Sequence, residues 1–236
     1  MTEGTLRRAV PGQRVVELAL VVLAFAIAGL VVFALVWSGS APFRDLARDN
    51  GVNGFVFIVQ SPSGGSHGMD VETAASFVHA PWSRYVTGGM DEPPSFDPPL
   101  FTSDEYGHMA DVRRVFGVAR FLVPVSLFVI IVRLQRARQR GSLAMWRLAR
   151  DGALAAAAGI AVIGIVVVLA FEPLFLAFHY VFFPQGNFLF DPATSNLIRL
   201  YPDWYWEGIS LRVGISFLAV ALALAAVAEL RVRGAK

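Results

Sequence analysis

Four histidines and a scatter of carboxylates are the side chains here that could move protons near neutral pH; cysteine is absent, which excludes thiolate chemistry, thioester intermediates and cysteine-ligated metal clusters. Two of the histidines stand apart. His108 lies about two turns before a charge-free apolar stretch, and His179 about two turns beyond another. If both elements are helical there, two segments far apart in sequence bring an imidazole to one depth, near a membrane surface. An imidazole with a pKa near 6.5 acts there as a base. Asp111 follows His108 by three residues and shares its helical face, where a carboxylate orients the ring and stabilises imidazolium. Taken by themselves, two such histidines also fit hydrogen bonding to loop carbonyls or a His/His/Asp metal site, although no HExxH-like spacing supports a metal. Glu172 is a carboxylate at a membrane edge, a functional candidate by position, or with Pro173 a mark of the break at the water boundary. His67 and His79 fall in a polar loop and are expected to be exposed or loop-packing, replaceable without loss of function.

The elements that must position these groups are membrane spans. The chain has 236 residues, 56% hydrophobic and only 16% charged, against roughly 25% charge for soluble domains. That excludes a secreted disulfide scaffold, a disordered tail and a typical cytosolic enzyme. Four apolar stretches reach spanning length, at about residues 15–37, 115–134, 152–174 and 209–229. The first is too long for a signal-peptide core and reads as an uncleaved anchor. Pro124 implies a kink in the second.

Of 20 basic residues, 12 fall in three clusters: Arg7 to Arg14, Arg133 to Arg150, and Arg231 to Lys236. With four spans these are the N-terminus, the middle loop and the C-terminus, which the positive-inside rule places in the cytoplasm. The outer segments are then 38–114 and 175–208. Ser38 to Asp111 carries ten acidic residues against three basic ones. The expectation is an all-α, multi-pass membrane protein forming one integral membrane domain over 1–236, with short helices and a short strand outside.

Within the first outer segment, Gly54 to Gln60 reads as a strand followed by a Ser-Pro-Ser-Gly-Gly turn. Asp70 reads as the N-cap of a helix that Pro81 ends or bends. Thr102-Ser-Asp-Glu105 is a capping box opening a helix that runs through His108 and Asp111 into the second span. Between Phe171 and Trp206, 12 of 36 residues are aromatic, a density expected at the lipid headgroup layer.

Phe101-Thr-Ser-Asp-Glu-Tyr-Gly-His-Met-Ala-Asp-Val-Arg-Arg-Val-Phe116 resembles the F-T-x-x-E-x-x-H-M-x-D-V block of the bacterial lipoprotein intramolecular transacylases (Lit). Phe178-His-Tyr-Val-Phe-Phe183 resembles their F-H-x-x-F-F block. Asp191-Pro-Ala-Thr and Leu197-Ile-Arg-Leu-Tyr-Pro202 resemble their D-P-x-T…L-I-x-x-x-P tail. The blocks run in order from about Gly68 to Arg212. Two departures stand out: Gln185-Gly-Asn-Phe188 replaces an Asn-Asp-x-Trp-like stretch, and Ser195 stands where Asp is expected.

The resemblance implies an acyl shift within one lipoprotein. The sn-2 chain of the diacylglyceryl-cysteine moves to the N-terminal α-amine and leaves the lyso form. Diacylglyceryl-modified lipoproteins and membrane lipids are the implied partners, with no nucleic acid and no cofactor. His179 is the base in this reading and His108, oriented by Asp111, the acid; the reverse assignment and an acyl-histidine stay open. Tyr85, Asp191, Arg199, Trp204 and Glu172 form the candidate substrate-binding set, with Arg84 beside them, against structural roles for each. The site is expected at the extracytoplasmic face of a bacterial plasma membrane. A non-catalytic accessory or lipid-binding protein is the competing class, and a membrane metallohydrolase a third.

Overall fold

The structure is a computed structural model and describes residues 11–62 and 64–235. Arg7, Arg8 and Lys236 of the basic clusters lie outside the described residues. The chain divides into two compact units. One takes the chain up to Phe33, Phe121–Ile165 and everything from Val213; the other takes Ala34–Arg120 and Val166–Arg212.

The first unit is helical. It contains most of α1 (Pro11–Trp37), the later part of α5 (Ser103–Gln139), α6 (Ser142–Leu169) and the later part of α9 (Asp203–Arg233). All four helices are long and apolar enough to cross a membrane. Their outward faces carry Phe121, Phe128, Ile131, Val162 and Leu222, exposed side chains that suit lipid rather than water. Small residues bring the helices together. A Cβ on Gly29 would sit 2.6 Å from the Phe217 ring, and one on Gly152 2.7 Å from Val21. Ala156, Ala157, Ile160, Phe217 and Ala221 form the buried seam. Helix α5 passes Pro124 without interruption.

The second unit opens with α2 (Ser40–Asp49), then an antiparallel hairpin of β1 (Gly54–Ile58) and β2 (Ser66–Asp70), paired from Gly54↔Asp70 to Ile58↔Ser66. The expected strand therefore has a partner. Ser66-His-Gly-Met-Asp70 was unreadable as a strand because it has no apolar alternation; backbone pairing and the turn before it hold it in place. The buried Asn196 amide mimics one more strand residue: its oxygen accepts from Ile58 N–H at 2.8 Å and its nitrogen donates to Ile58 C=O at 2.7 Å.

Asp70 caps the next helix, accepting from Thr73 N–H at 2.7 Å. Helix α3 (Val71–Thr73) runs through a π-helical stretch, Ala74–His79, into α4 (Ala80–Val86). Pro81 neither ends nor breaks this run. It takes an early position of α4, where its missing N–H costs least, and the wider ladder before it makes room for the ring.

The stretch 152–174, expected as one span, is not one continuous helix. Helix α6 stops at Leu169, Ala170 leaves helical geometry at φ −148° and ψ 49°, and α7 (Phe171–Phe182) starts anew with Pro173 in its first turn. Helix α8 (Asn196–Leu200) and the start of α9 close the unit. Its core is aromatic: Phe43, Phe55, Phe57, Trp82 and Phe101 pack with Leu200, Tyr201 and Tyr205. All the candidate site residues lie in this unit.

Candidate active site

Helix α5 carries His108 into the site, and its start is fixed by the capping box. Glu105 Oε2 accepts from Thr102 N–H at 2.8 Å, and Thr102 Oγ1 accepts from Glu105 N–H at 3.2 Å. Glu105 does more than the motif requires. It is 1% exposed, and its other oxygen accepts from Ser195 Oγ and Leu197 N–H, both at 2.7 Å. One carboxylate thus clamps the α5 N-terminus to the α8 N-terminus. The first three turns of α5, Ser103 to Arg114, carry five charged residues, which suits water or headgroups rather than the lipid interior.

The His108 and His179 rings come together at 5.9 Å between centroids and 19° between planes. Phe183, 2% exposed, touches both, at 4.8 Å from His108 and 5.4 Å from His179. Phe190 meets His108 edge-on at 5.7 Å; Phe175 and Phe188 flank His179 at 4.3 and 5.1 Å. The pair is set in a wall of phenylalanine.

This wall sets the charge state. Burial foremost, and then the neighbouring His179, hold the His108 imidazole down to about 4, while the Asn187 side chain and the Asp111 charge pull the other way. Burial also lowers His179, opposed by its bond to the Phe175 carbonyl. Both rings are therefore neutral at pH 7. His179 Nδ1 lies 2.8 Å from Phe175 C=O, one turn back on its own helix. A carbonyl only accepts, so Nδ1 bears the hydrogen and Nε2 keeps its lone pair. His108 Nδ1 is buried with no partner among the described residues. The nearby Asn187 side chain favours the charged form of this ring. His179 thus keeps one nitrogen free of the bond to Phe175 C=O.

Asp111 does not bond His108 directly, contrary to the simple helical-face expectation. Its carboxylate pairs with Arg114 and accepts from Gln185 Nε2 and Asn187 Nδ2, each at 2.7 Å. The Asn187 oxygen also accepts from Gln185 at 3.1 Å. Asn187 therefore bonds Asp111 and also favours the charged form of His108. Between the two amides Gly186 has φ +78°, a conformation glycine adopts freely, and this reversal aims both side chains at one carboxylate. Gln185 and Asn187 are the residues that sequence reasoning missed. The signal was the departure itself: two amides flanking a glycine, directly after the histidine block.

The other candidates lie elsewhere. Tyr85 is buried in the aromatic core with the Arg113 guanidinium 4.7 Å above its ring. Asp191 shapes a turn, accepting from Ala193 N–H at 2.9 Å. Arg199 donates to Ala193 C=O at 2.9 Å. Trp204 packs against Tyr205, and Glu172 is exposed two turns before His179 on α7. None of these five makes a ring contact or hydrogen bond to either histidine among the described residues. His67 is exposed, but His79 is not the replaceable loop residue expected. It is 1% exposed, stacked on Phe43 at 4.4 Å, and bonded to Ser38 C=O at 3.0 Å and Tyr201 Oη at 3.1 Å. No group of three or more His, Asp or Glu side chains among the described residues could hold a metal ion.

The membrane-integral lipoprotein intramolecular transacylase Lit from Bacillus cereus, solved in meso, shares the fold. Its TM-score is 0.71 over 94% of this chain and 97% of that one, at 11% identity. Two variants of that protein, with one histidine replaced by arginine or by alanine, each give 0.64 at 10% and 11% identity, covering 94% of this chain and 93% and 95% of theirs. No curated protein matches the chain by sequence. The sequence profile of the lipoprotein intramolecular transacylases matches residues 14–206, well over half of the chain, and this multi-pass membrane protein belongs to the Lit family.

Proposed function

We propose that the chain moves the sn-2 acyl group of a diacylglyceryl-cysteine lipoprotein onto the same molecule's N-terminal amine. The observation that carries this reading is the pair of neutral imidazoles, 5.9 Å apart and walled by phenylalanine, in a transacylase-family chain. In the reading, the free α-amine has a pKa of about 7.7–8.0, and the bare Nε2 of His179 takes its proton. The amine lone pair attacks the ester carbonyl; a C–N bond forms and the C–O bond to glycerol breaks. The glycerol oxygen gains one proton. Counted from the ammonium, the nitrogen loses two, so one is released to solvent per turnover. His108 starts neutral, so any proton it passes to glycerol comes from the amine, and the Asp111–Asn187 link stabilises it while charged. Amine and ester share one molecule, so positioning supplies much of the rate. The phenylalanine wall excludes the water that would hydrolyse the ester. Diacylglyceryl-modified lipoproteins are the partners in this reading.

The same reading places both termini in the cytoplasm, residues 38–114 and 175–208 outside, and the site at the outer face of a bacterial plasma membrane, within a single integral membrane domain. Support comes from the basic clusters and the four long apolar helices.

Tandem mass spectrometry of the N-terminal lipopeptide tests the product. An internal shift leaves the intact mass unchanged, with one acyl chain on nitrogen and one on glycerol. A third chain would mean transfer from a phospholipid. A free amine with diacylglycerol intact would leave a lipid-binding or accessory role in its place.

A further inference from the structure

At the opposite end of α5 from His108, three arginines recur on one helical face: Arg133, Arg136 and Arg140, at i, i+3 and i+7. With the first turns of α1 they line a hollow of about 440 Å³. This lies within the roughly 300–1,000 Å³ of small-molecule sites. Glu17 is 8% exposed and pairs with Arg140 at 2.6 Å, which compensates one cation. Arg133 and Arg136 make no ion pair among the described residues. Among the described lining residues Glu17 is the only carboxylate, so two of the three arginines have no counter-charge in the lining. Gly12 and Gln13 complete the lining on α1. Val16, exposed on the rim, gives the hollow an apolar edge towards the spanning part of α1.

We propose that this hollow binds the phosphodiester headgroup of an anionic phospholipid. Guanidinium forks match phosphate oxygens bidentately, and basic pockets between membrane helices are a known setting for such headgroups. A negative headgroup supplies the charge that Glu17 supplies for only one arginine, and the apolar rim receives its acyl chains. The leaflet follows from the orientation proposed above and is the inner one. The binding is independent of the acyl-transfer reading and is measured without activity.

Native mass spectrometry of the delipidated protein in detergent, with defined lipids added, tests it. Wild type should retain phosphatidylglycerol or cardiolipin at least tenfold better than phosphatidylcholine. Arg133→Gln with Arg136→Gln should lose that preference, and Arg133→Lys with Arg136→Lys, which keeps the charge, should keep most of it. Equal retention of phosphatidylcholine by wild type would overturn the proposal whatever the variants do. So would a glutamine variant that is unchanged. Displacement of the lipid by millimolar inorganic phosphate, with the phosphate itself retained, would make the ligand a soluble phosphate and overturn the lipid assignment.

Discussion

At the residue scale the two histidines differ in how they are held. His179 is aligned by a carbonyl of its own helix, whereas the charged form of His108 is favoured by the Asn187 side chain of another segment. Glutamine keeps part of the hydrogen bonding of either ring but carries no proton near pH 7. His108→Gln and His179→Gln should each abolish lyso-lipoprotein formation in a folded protein, with the double variant little worse than either single one. Near-normal turnover in either single variant would remove that histidine from the mechanism. Asn187→Ala keeps both rings and cuts the link to Asp111. A net hydrogen bond is worth about 0.5–1.5 kcal/mol, so kcat should fall about 2- to 13-fold with substrate affinity nearly unchanged. His79 gives a stability prediction instead. Burial lowers it to about 4, against 6.5 in the unfolded chain. The unfolded state thus binds the extra proton between these values. Stability from this residue is complete above pH 6.5 and is lost as the pH falls towards 4, by about 3 kcal/mol in all. His79→Phe should lower the thermal midpoint at pH 7 and flatten its fall between pH 6.5 and 4.

At the element scale the test is helix contact. Gly29 lets α1 meet the Phe217 ring of α9 where any side chain would collide. Gly29→Val should cost about 1–3 kcal/mol, read as a lower midpoint of thermal unfolding in detergent. An unchanged midpoint would mean that the two helices pass at a larger distance. Much at this scale was legible in the sequence. The capping box, the Asp70 cap and the start of α5 follow from side chains bonding backbone within one turn, which short sequence windows encode. What stayed hidden depends on distant partners. β2 exists because β1 pairs with it, and the π-helical stretch before Pro81 is a packing solution. The break at Ala170 has no glycine or proline at its own position to announce it. The site divides the same way. The two histidines were legible from residue type and depth, whereas Asn187 requires knowing that a loop 76 residues after Asp111 folds back onto it.

At the scale of the whole molecule the charge pattern fixes an experiment. In the proposed orientation the arginines at both ends of the loop between α5 and α6, and at the end of α9, share one side of the membrane. A reporter active only outside the cytoplasm, fused after the C-terminus, should stay silent; a strong signal would overturn the four-span arrangement. The core of the second unit has a consequence for how the protein is made. It draws Phe43, Phe55 and Trp82 from early in the chain and Leu197 to Tyr205 from late in it. His108 and His179 are 71 residues apart, roughly 4–14 s of synthesis at about 5–20 residues per second. During that interval the first half of the aromatic core has no second half to close against, and His108 has neither Asn187 nor Phe183 beside it. On the proposed function, the nascent chain therefore carries its candidate histidine pair unassembled until the residues up to Tyr205 have been made.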